Sequence, residues 1–338
     1  MLTTTVAGRT WNFKKAVGRN AAAGNGFTQP YDVALGPEGV IYVLSRGAEG
    51  AGGVVAPNKR IGKVTMDDQF LGDFGHSEFT WPVALAVDSE GNLFCSDEHL
   101  NIIASYNEDG ERIGEWGEVG SDEGQLNGPN GIAFDADDNL YVVDSGNGRV
   151  QKFTKDGSFL ATFGSAGSDE GQFDKPWGIT VDSSGDLFVA DWGNDRVQKF
   201  SAGGTHLMTF GSAAGGELNH PSSVAVDSEG DVYVADWGNK RIQIYEPDGN
   251  VITSLHGDAV EFSAWAAEVI NANPDAQKAY RRVQDRTQIG HQLFQDLPGN
   301  FLSDLAFEMP PATLPCHSLK MPFHRRDNPL MRVADDQP

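Results

Sequence analysis

Aspartate, asparagine and arginine recur at one fixed spacing in three places along the chain. The three sets are Asp144/Asn147/Arg149, Asp191/Asn194/Arg196 and Asp236/Asn239/Arg241. These residue types could form a catalytic or ion-binding set, but a chain needs such a set only once. Aspartate and asparagine also bond their own backbone in tight turns, and arginine binds carboxylates or carbonyls with both arms of its guanidinium. Repetition in register therefore favours a structural role.

One unit departs from this pattern. In the stretch "SDEHLNIIASY", Leu100 and Ile102 occupy the positions of the asparagine and the arginine, and His99 lies close to Asp97. A histidine beside an aspartate could form an acid–base pair on the surface. A degenerate unit with ordinary packing is the alternative, and it is the interpretation that the sequence favours.

The recurring sets lie inside longer units, each of which begins at a proline. The anchors are Pro30, Pro82, Pro129, Pro176 and Pro221, and the last three steps between them are 47, 47 and 45 residues. After Pro129 come "GIAFD", "DNLYVVD", "GRVQKF" and "FLATFG", in which β-branched and aromatic residues alternate with polar ones. Such alternation, interrupted by Gly and Asp, is typical of strands. Four antiparallel strands per unit predict a propeller blade.

The unit "P-x-G-[VI]-[AT]-[VF]-D…[LV]-[YF]-V-x-D-x-x-N-x-R-[VI]-Q" resembles the NHL repeat family, over roughly residues 10–257. The resemblance implies an all-β, six-bladed β-propeller of four-stranded antiparallel blades. It does not imply one activity, because the family includes RNA-binding and protein-binding modules. Related six-bladed propellers include amidating lyases, lactonase-like hydrolases and strictosidine synthase-like enzymes.

Five anchors account for five blades, and the sixth is predicted to combine both ends of the chain. Residues 10–18 resemble the outermost strand of a blade, and "FLSDLAFE" at 301–308 resembles an innermost strand. Pairing the two ends would leave no free sheet edge. The predicted organisation is residues 1–257 for the first five blades and the closing strand, 258–297 for a helical insertion on one rim, and 298–338 for the rest of blade six and an irregular arm.

The residue after each proline anchor is predicted to lie near the central channel, at the start of an innermost strand. The candidate channel-mouth residues are Tyr31, Asp32, Asn130, Trp177, Ser222 and Ser303. The amidating lyases carry metal-binding histidines there, and this chain has none at these positions. The lactonase-like propellers hold a divalent ion with Glu, Asn and Asp. Here Asp32 and Asn130 could contribute oxygen ligands, without an evident Glu, so we predict no metal site.

Two other features could involve ligands. The stretches "GSDEGQL" at 120–126 and "GSDEGQF" at 167–173 are acidic enough to bind calcium, but their repetition favours structural turns. No cofactor is predicted, with calcium as the open alternative. Trp192 and Trp237 follow the repeated aspartates, where they either cover neighbouring blades or form an exposed aromatic surface.

Composition restricts the partners. The net charge of −23 disfavours nucleic acid, whose phosphates require clustered Lys and Arg. No apolar run reaches membrane-spanning length, and two cysteines fit a reducing cytoplasm. Basic residues concentrate instead in the C-terminal part, at Lys278, Arg281, Arg282, Arg286, Lys320, Arg325 and Arg326. These are the candidate contacts to an acidic partner or a second subunit.

Two classes of function follow from the sequence. The favoured one is a non-catalytic propeller that acts as a protein-binding scaffold or accessory subunit. Its contact surfaces would be the helical insertion and the C-terminal arm. The alternative is a lyase or lactonase-like hydrolase with a site at the channel mouth, metal-assisted if it is an enzyme. Fold alone does not decide between them.

Overall fold

The computed structural model describes residues 3–6, 8–15, 17, 26–27, 29–46, 59–76, 78–256 and 333–334. Within these ranges, twenty strands form five four-stranded antiparallel sheets, and each sheet is built from four strands in consecutive chain order. Each sheet begins at one of the five proline anchors. The predicted all-β propeller with four-stranded blades is therefore confirmed for five blades, and no described helix is long and apolar enough to cross a membrane.

The five blades have the following strands, from the innermost outwards. Blade one contains β3 Pro30–Leu35, β4 Val40–Ser45, β5 Arg60–Thr65 and β6 Phe70–Phe74. Blade two contains β7 Pro82–Val87, β8 Leu93–Asp97, β9 Ile102–Tyr106 and β10 Arg112–Trp116. Blade three contains β11 Pro129–Phe134, β12 Asn139–Asp144, β13 Arg149–Thr154 and β14 Phe159–Phe163. Blade four contains β17 Pro176–Val181, β18 Leu187–Asp191, β19 Arg196–Phe200 and β20 His206–Phe210. Blade five contains β21 Pro221–Val226, β22 Val232–Asp236, β23 Arg241–Tyr245 and β24 Val251–His256.

The remaining elements are short. Two strands precede blade one, β1 Thr3–Val6 and β2 Arg9–Lys15, and one lies near the C-terminus, β25 Val333–Ala334. A two-residue parallel pair, β15 Ser165–Ala166 and β16 Gln172–Phe173, lies between blades three and four. Single 3₁₀ turns occupy Pro37–Gly39, Ser145–Asn147 and Trp192–Asn194.

The hydrophobic cores lie between blades rather than inside them. Both faces of a central blade are covered by neighbours, so β7, β11 and β21 are buried along their whole length. One such core joins Phe94 of blade two to Phe134 of blade three, with ring centroids 4.9 Å apart. Burying each side chain of this size contributes about 1.5–3 kcal/mol. Strand alternation in the sequence therefore specifies the ring, because each blade completes the core of the next.

Two glycines allow the innermost strands to approach closely. A Cβ on Gly131 would lie 2.4 Å from the Trp177 carbonyl oxygen, and a Cβ on Gly178 would lie 2.6 Å from the Ser223 Cα. These contacts join equivalent positions of successive blades, so the innermost strands run side by side in the same direction. All of them begin at the same end of the channel.

We expect Gly178→Ala to destabilise the propeller, because the obstructing atoms are backbone and cannot rotate away. Overpacking of this kind costs about 1–3 kcal/mol, and urea denaturation measures it as a lower midpoint at unchanged slope. Gly203→Ala is the matched control, since its Cβ would approach Ser201 Oγ no closer than 3.8 Å. Equal midpoints for the two variants would contradict the close packing of blades four and five.

The chain termini pair with each other. Strand β2 lies between β1 and β25, with Phe13 opposite Ala334. The predicted pairing of residues 10–18 with C-terminal residues is thus confirmed, but the predicted outermost position is wrong. Strand β1, which no strand pattern in the sequence indicated, pairs with β2 at one edge of this sheet. The predicted helical insertion at 258–297 and the strand at 301–308 lie outside the described residues.

Candidate functional site

The repeated Asp/Asn/Arg set is a closed hydrogen-bonding network. In blade three, the buried Asp144 Oδ2 accepts from Arg149 Nε at 2.8 Å, Asn147 Nδ2 at 2.9 Å and Gln151 Nε2 at 3.1 Å. Its Oδ1 accepts from the Asn127 amide at 2.7 Å. Blade four repeats all four bonds around Asp191. Burial raises the pKa of Asp191, while the hydrogen bonds from Asn194 and Arg196 oppose the rise.

The acidic loops belong to the same network. Arg149 Nη2 donates to the carbonyl oxygens of Asp122 and Gln125, at 2.7 and 3.0 Å, and the Gly124 amide donates to Gln151 Oε1 at 2.9 Å. Equivalent bonds join Arg196 and Gln198 to the loop at 167–173. The repeated residues therefore hold the connections between blades in place, as the sequence predicts.

Blade two satisfies its buried aspartate differently. Asp97 accepts hydrogen bonds from the backbone amides of Thr80, Trp81, His99 and Leu100, at 2.7–3.1 Å. The imidazole of His99 instead packs beside Trp81, with ring centroids 5.2 Å apart and the ring planes tilted by 56°. The structure therefore supports the degenerate-unit interpretation over an acid–base pair.

One end of the channel carries a concentration of aromatic side chains. They come from three positions that recur in every blade: the residues before and after the anchoring proline, and the residue after the second strand. These positions are neighbours because the first and second strands pair there, as Pro176 does with Asp191. We name two groups at this end. The indole row is Trp177, Trp192 and Trp237, and the arginine cluster is Tyr31, Arg46 and Trp81. Together they form the aromatic rim.

The indole row is continuous across blades four and five. The ring centroids of Trp177 and Trp192 are 5.5 Å apart at an interplanar angle of 35°, and those of Trp192 and Trp237 are 6.2 Å apart at 33°. The His220 ring meets Trp192 edge-on at 4.1 Å. All three indoles are partly exposed. Trp192 therefore covers part of the neighbouring blade five and is also partly exposed.

The arginine cluster joins blades one and two. The Arg46 guanidinium lies 4.8 Å from the Tyr31 ring centroid and 5.3 Å from that of Trp81, and it donates to Glu98 Oε1 at 2.8 Å. Burial raises the pKa of Tyr31 to about 12, against the opposing effect of Arg46, so its hydroxyl stays protonated at neutral pH. Trp81 is 39% exposed. The cluster presents a fixed cation and an exposed indole.

Blade three separates the two groups with small residues. Its three equivalent positions are Gly128, Asn130 and Ser145. Asn130 is buried, so Gly128 and Ser145 are the more accessible ones. The indole row and the arginine cluster therefore lie on either side of blade three, whose rim residues are small.

The candidate channel-mouth residues separate into two kinds. Tyr31 and Trp177 lie on the rim. The other three described candidates are buried and bonded within the fold: Asp32 Oδ2 accepts from the Leu85 amide at 2.7 Å, the Asn130 carbonyl accepts from Ser96 Oγ at 2.7 Å, and Ser222 Oγ donates to the Ala235 carbonyl at 3.3 Å. Ser303 lies outside the described residues.

The ligand sets that commonly hold a metal ion combine His, Cys, Asp and Glu side chains. In the described part of the chain, no group of three or more of these side chains comes together. Asp32 Oδ2 accepts from the Leu85 amide; an oxygen site at Asp32 and Asn130, and calcium binding, stay predictions. The candidate partner contacts at 278–286 and 320–326 lie outside the described residues.

Sequence reasoning missed Arg46, Trp81 and His220. It chose its channel-mouth candidates from the residues that follow each proline, and it considered the position after the second strand only for Trp192 and Trp237. The signal that could have found them is a comparison of those positions between units, where the residue type changes from blade to blade. Their contacts to Tyr31 and Trp192 depend on blade packing, which the units alone do not reveal.

Comparisons with known proteins agree with the fold. Residues 85–214 match the family described as SMP-30/gluconolactonase/LRE-like region, and residues 218–245 match the NHL repeat. The chain is a β-propeller of four-stranded blades that contains an NHL repeat. A comparison with curated proteins found no match.

Several solved structures share the architecture at low sequence identity. A streptogramin B lyase is 15% identical over 73% of each chain, with a TM-score of 0.52. Virginiamycin B lyase from Staphylococcus aureus is 15% identical over 73% of this chain and 74% of its own, with a TM-score of 0.50. A structure of a nidogen/laminin complex is 19% identical over 66% of this chain and 78% of the other, with a TM-score of 0.53. Likeness at this level shows the fold and no more.

Proposed function

We propose that the chain is a non-catalytic propeller that binds a protein partner through the aromatic rim. The observation that carries this proposal is the concentration of tryptophan: Trp81, Trp177, Trp192 and Trp237 lie on one end of the ring, out of seven in the whole chain. Tryptophan, tyrosine and arginine dominate the energetics of protein interfaces, and all three types are present here.

We further infer a sixth blade that contains the sheet of β1, β2 and β25. Val6 and Trp11 pack against blade five, while Val17 and Phe27 pack against blade one. The terminal segments therefore lie between the last and the first described blades. A cytoplasmic location and additional partner contacts in the C-terminal basic segments complete the proposal.

The alternative function is a lyase or lactonase-like hydrolase. It is favoured by the match to the SMP-30/gluconolactonase-like family over residues 85–214. Elemental analysis of the purified chain would test a metal-assisted form directly. A stoichiometric divalent ion, removed by a chelator together with turnover of a lactone, would favour the enzyme.

We expect Trp192→Ala to abolish most of the binding while leaving the fold intact. Trp192 contacts both other members of the indole row, so its loss breaks the row in the middle. The probe is a displayed library of random peptides, selected on the immobilised full chain. Selected peptides should bind the variant at least about tenfold more weakly, as expected for an interface hot spot.

Leu207→Ala is the matched control, because Leu207 is 50% exposed on the outer strand of the same blade. It should leave the affinity unchanged, and both variants should keep the melting temperature within a few degrees. Peptides that bind wild type and Trp192→Ala equally well, or a library that yields no binder, would refute the proposed function.

A further inference from the structure

We propose that the segment recognised by the indole row is a proline-rich stretch in the polyproline II conformation. This inference rests on the proposed function and names the partner chemistry at the same surface. It is argued from the geometry of the row, from the hydrogen bonds of its polar neighbours, and from the backbone beneath it.

The dimensions of the row suit an extended, rigid peptide. The two centroid distances of 5.5 and 6.2 Å give it a length of at most about 12 Å, and a polyproline II helix completes one turn in about 9 Å. One turn with a flanking residue therefore covers the row. Because this helix is stiff before binding, docking it costs little conformational entropy.

Three polar side chains around the row are already bonded inside the protein. Asn194 Nδ2 donates to the Gly167 carbonyl and to Asp191, both at 2.9 Å. Asn239 Nδ2 donates in the same way to the Glu217 carbonyl and to Asp236. Asp195 Oδ1 accepts from the His220 amide at 2.7 Å. A sugar needs several polar partners for its hydroxyls, so this surface favours an apolar ligand.

The backbone beneath the row offers no sheet edge. The Gly193 amide donates to the Asp174 carbonyl and the Gly238 amide to the Asn219 carbonyl, both at 2.8 Å. A peptide cannot add as a strand where the amides are paired in this way. Docking of a polyproline II segment on an aromatic surface needs no free backbone amide, so these contacts are compatible with it.

The charges near the row agree with this ligand. A net charge of −23 repels nucleic acid. Nucleic-acid bases are therefore disfavoured as the groups that stack on the row. Lys175 Nζ lies 5.8 Å from the Trp192 ring centroid. A polyproline II backbone has no internal hydrogen bonds and exposes its carbonyl oxygens, so the ammonium of Lys175 can donate to one of them.

The test titrates the full chain with a fluorescein-labelled decaproline peptide and follows fluorescence anisotropy. A labelled Gly-Ser peptide of equal length is the negative probe, and fluorescein-labelled cellohexaose is titrated separately. We expect decaproline to bind saturably, and we expect no binding of the Gly-Ser peptide or of cellohexaose. Trp192→Ala and Trp237→Ala should each weaken it at least about tenfold, and Leu207→Ala should change it less than twofold.

The outcomes separate this inference from the proposed function. If decaproline does not bind while library peptides without proline bind in a Trp192-dependent way, the inference fails and the proposed function stands. If no peptide binds, both fail. If cellohexaose binds in a Trp192-dependent way and no peptide does, the row is a carbohydrate site and both fail. Binding of decaproline that Trp192→Ala leaves unchanged also overturns the inference.

Discussion

Asp144→Asn should lower the free energy of unfolding by about 3–5 kcal/mol, the cost of removing one partner from a buried ion pair. The carboxylate is fully buried and accepts from three side-chain donors at a single oxygen. An asparagine must turn either its amide nitrogen or its oxygen towards those donors, and either choice leaves Arg149 without an anion. Guanidinium denaturation of the purified variant measures the loss.

Asp137→Asn is the control for the charge change, because Asp137 lies on an exposed turn of the same blade. Its effect should stay within about 0.5 kcal/mol, as for most surface substitutions. A loss below 1 kcal/mol for Asp144→Asn would mean that the repeated set does not hold the blade connections. The set would then need another explanation, such as ligand binding.

Arg9→Ala should be comparably destabilising. It leaves the buried carboxylate of Asp231 without its cation, where the N-terminal segment meets blade five. Arg9 Nη2 donates to Asp231 Oδ1 at 2.8 Å, and the Asp231 side chain is 1% exposed. Breaking such a pair costs about 3–5 kcal/mol. The double variant Arg9→Ala/Asp231→Asn should recover part of the loss, since no charge then remains buried.

The loss of unfolding free energy caused by Arg9→Ala should become smaller as pH falls. Burial raises the pKa of Asp231, and the hydrogen bond from Arg9 opposes that rise. Without Arg9, the pKa of Asp231 in the folded state rises further. The loss of unfolding free energy is therefore complete at pH values above that raised pKa. The loss disappears as pH falls below the folded-state pKa of Asp231 in the wild type, because the carboxyl is then protonated with or without Arg9. Unfolding at pH 7 and pH 4 should therefore show a smaller loss at pH 4.

The control for Arg9 is Arg112→Ala, which breaks an exposed pair with Glu115. That pair should contribute no more than about 1 kcal/mol. A pH-independent loss for Arg9→Ala, or a loss equal to that of Arg112→Ala, would show that the terminal hairpin does not close the ring through Asp231.

The repeated part of the structure could be predicted because its information is local. Each proline anchor starts an innermost strand, and each Asp/Asn/Arg set forms its network within one blade and the loop before it. Period-2 alternation specifies which side chains enter the cores between blades. These signals recur, so one correctly interpreted unit explains the others.

The candidate site could be predicted only in part because its contacts join different units. Tyr31 and Trp177 were identified from their position after a proline, but the same position in blades two, three and five is buried. What distinguishes the blades is the bulk of the neighbouring residues, such as Arg46 and Trp81. Likewise, Arg9 and Asp231 are 222 residues apart, and no periodic signal connects them.

The most direct test of the aromatic rim as the binding surface is an NMR titration of the seven tryptophan indole N–H signals. A peptide selected on the full chain should shift the signals of Trp177, Trp192 and Trp237. The signals of Trp11 and Trp116, which pack at blade five and on the outer strand of blade two, should stay in place. Shifts confined to Trp11 or Trp116, with the indole row unchanged, would contradict the account.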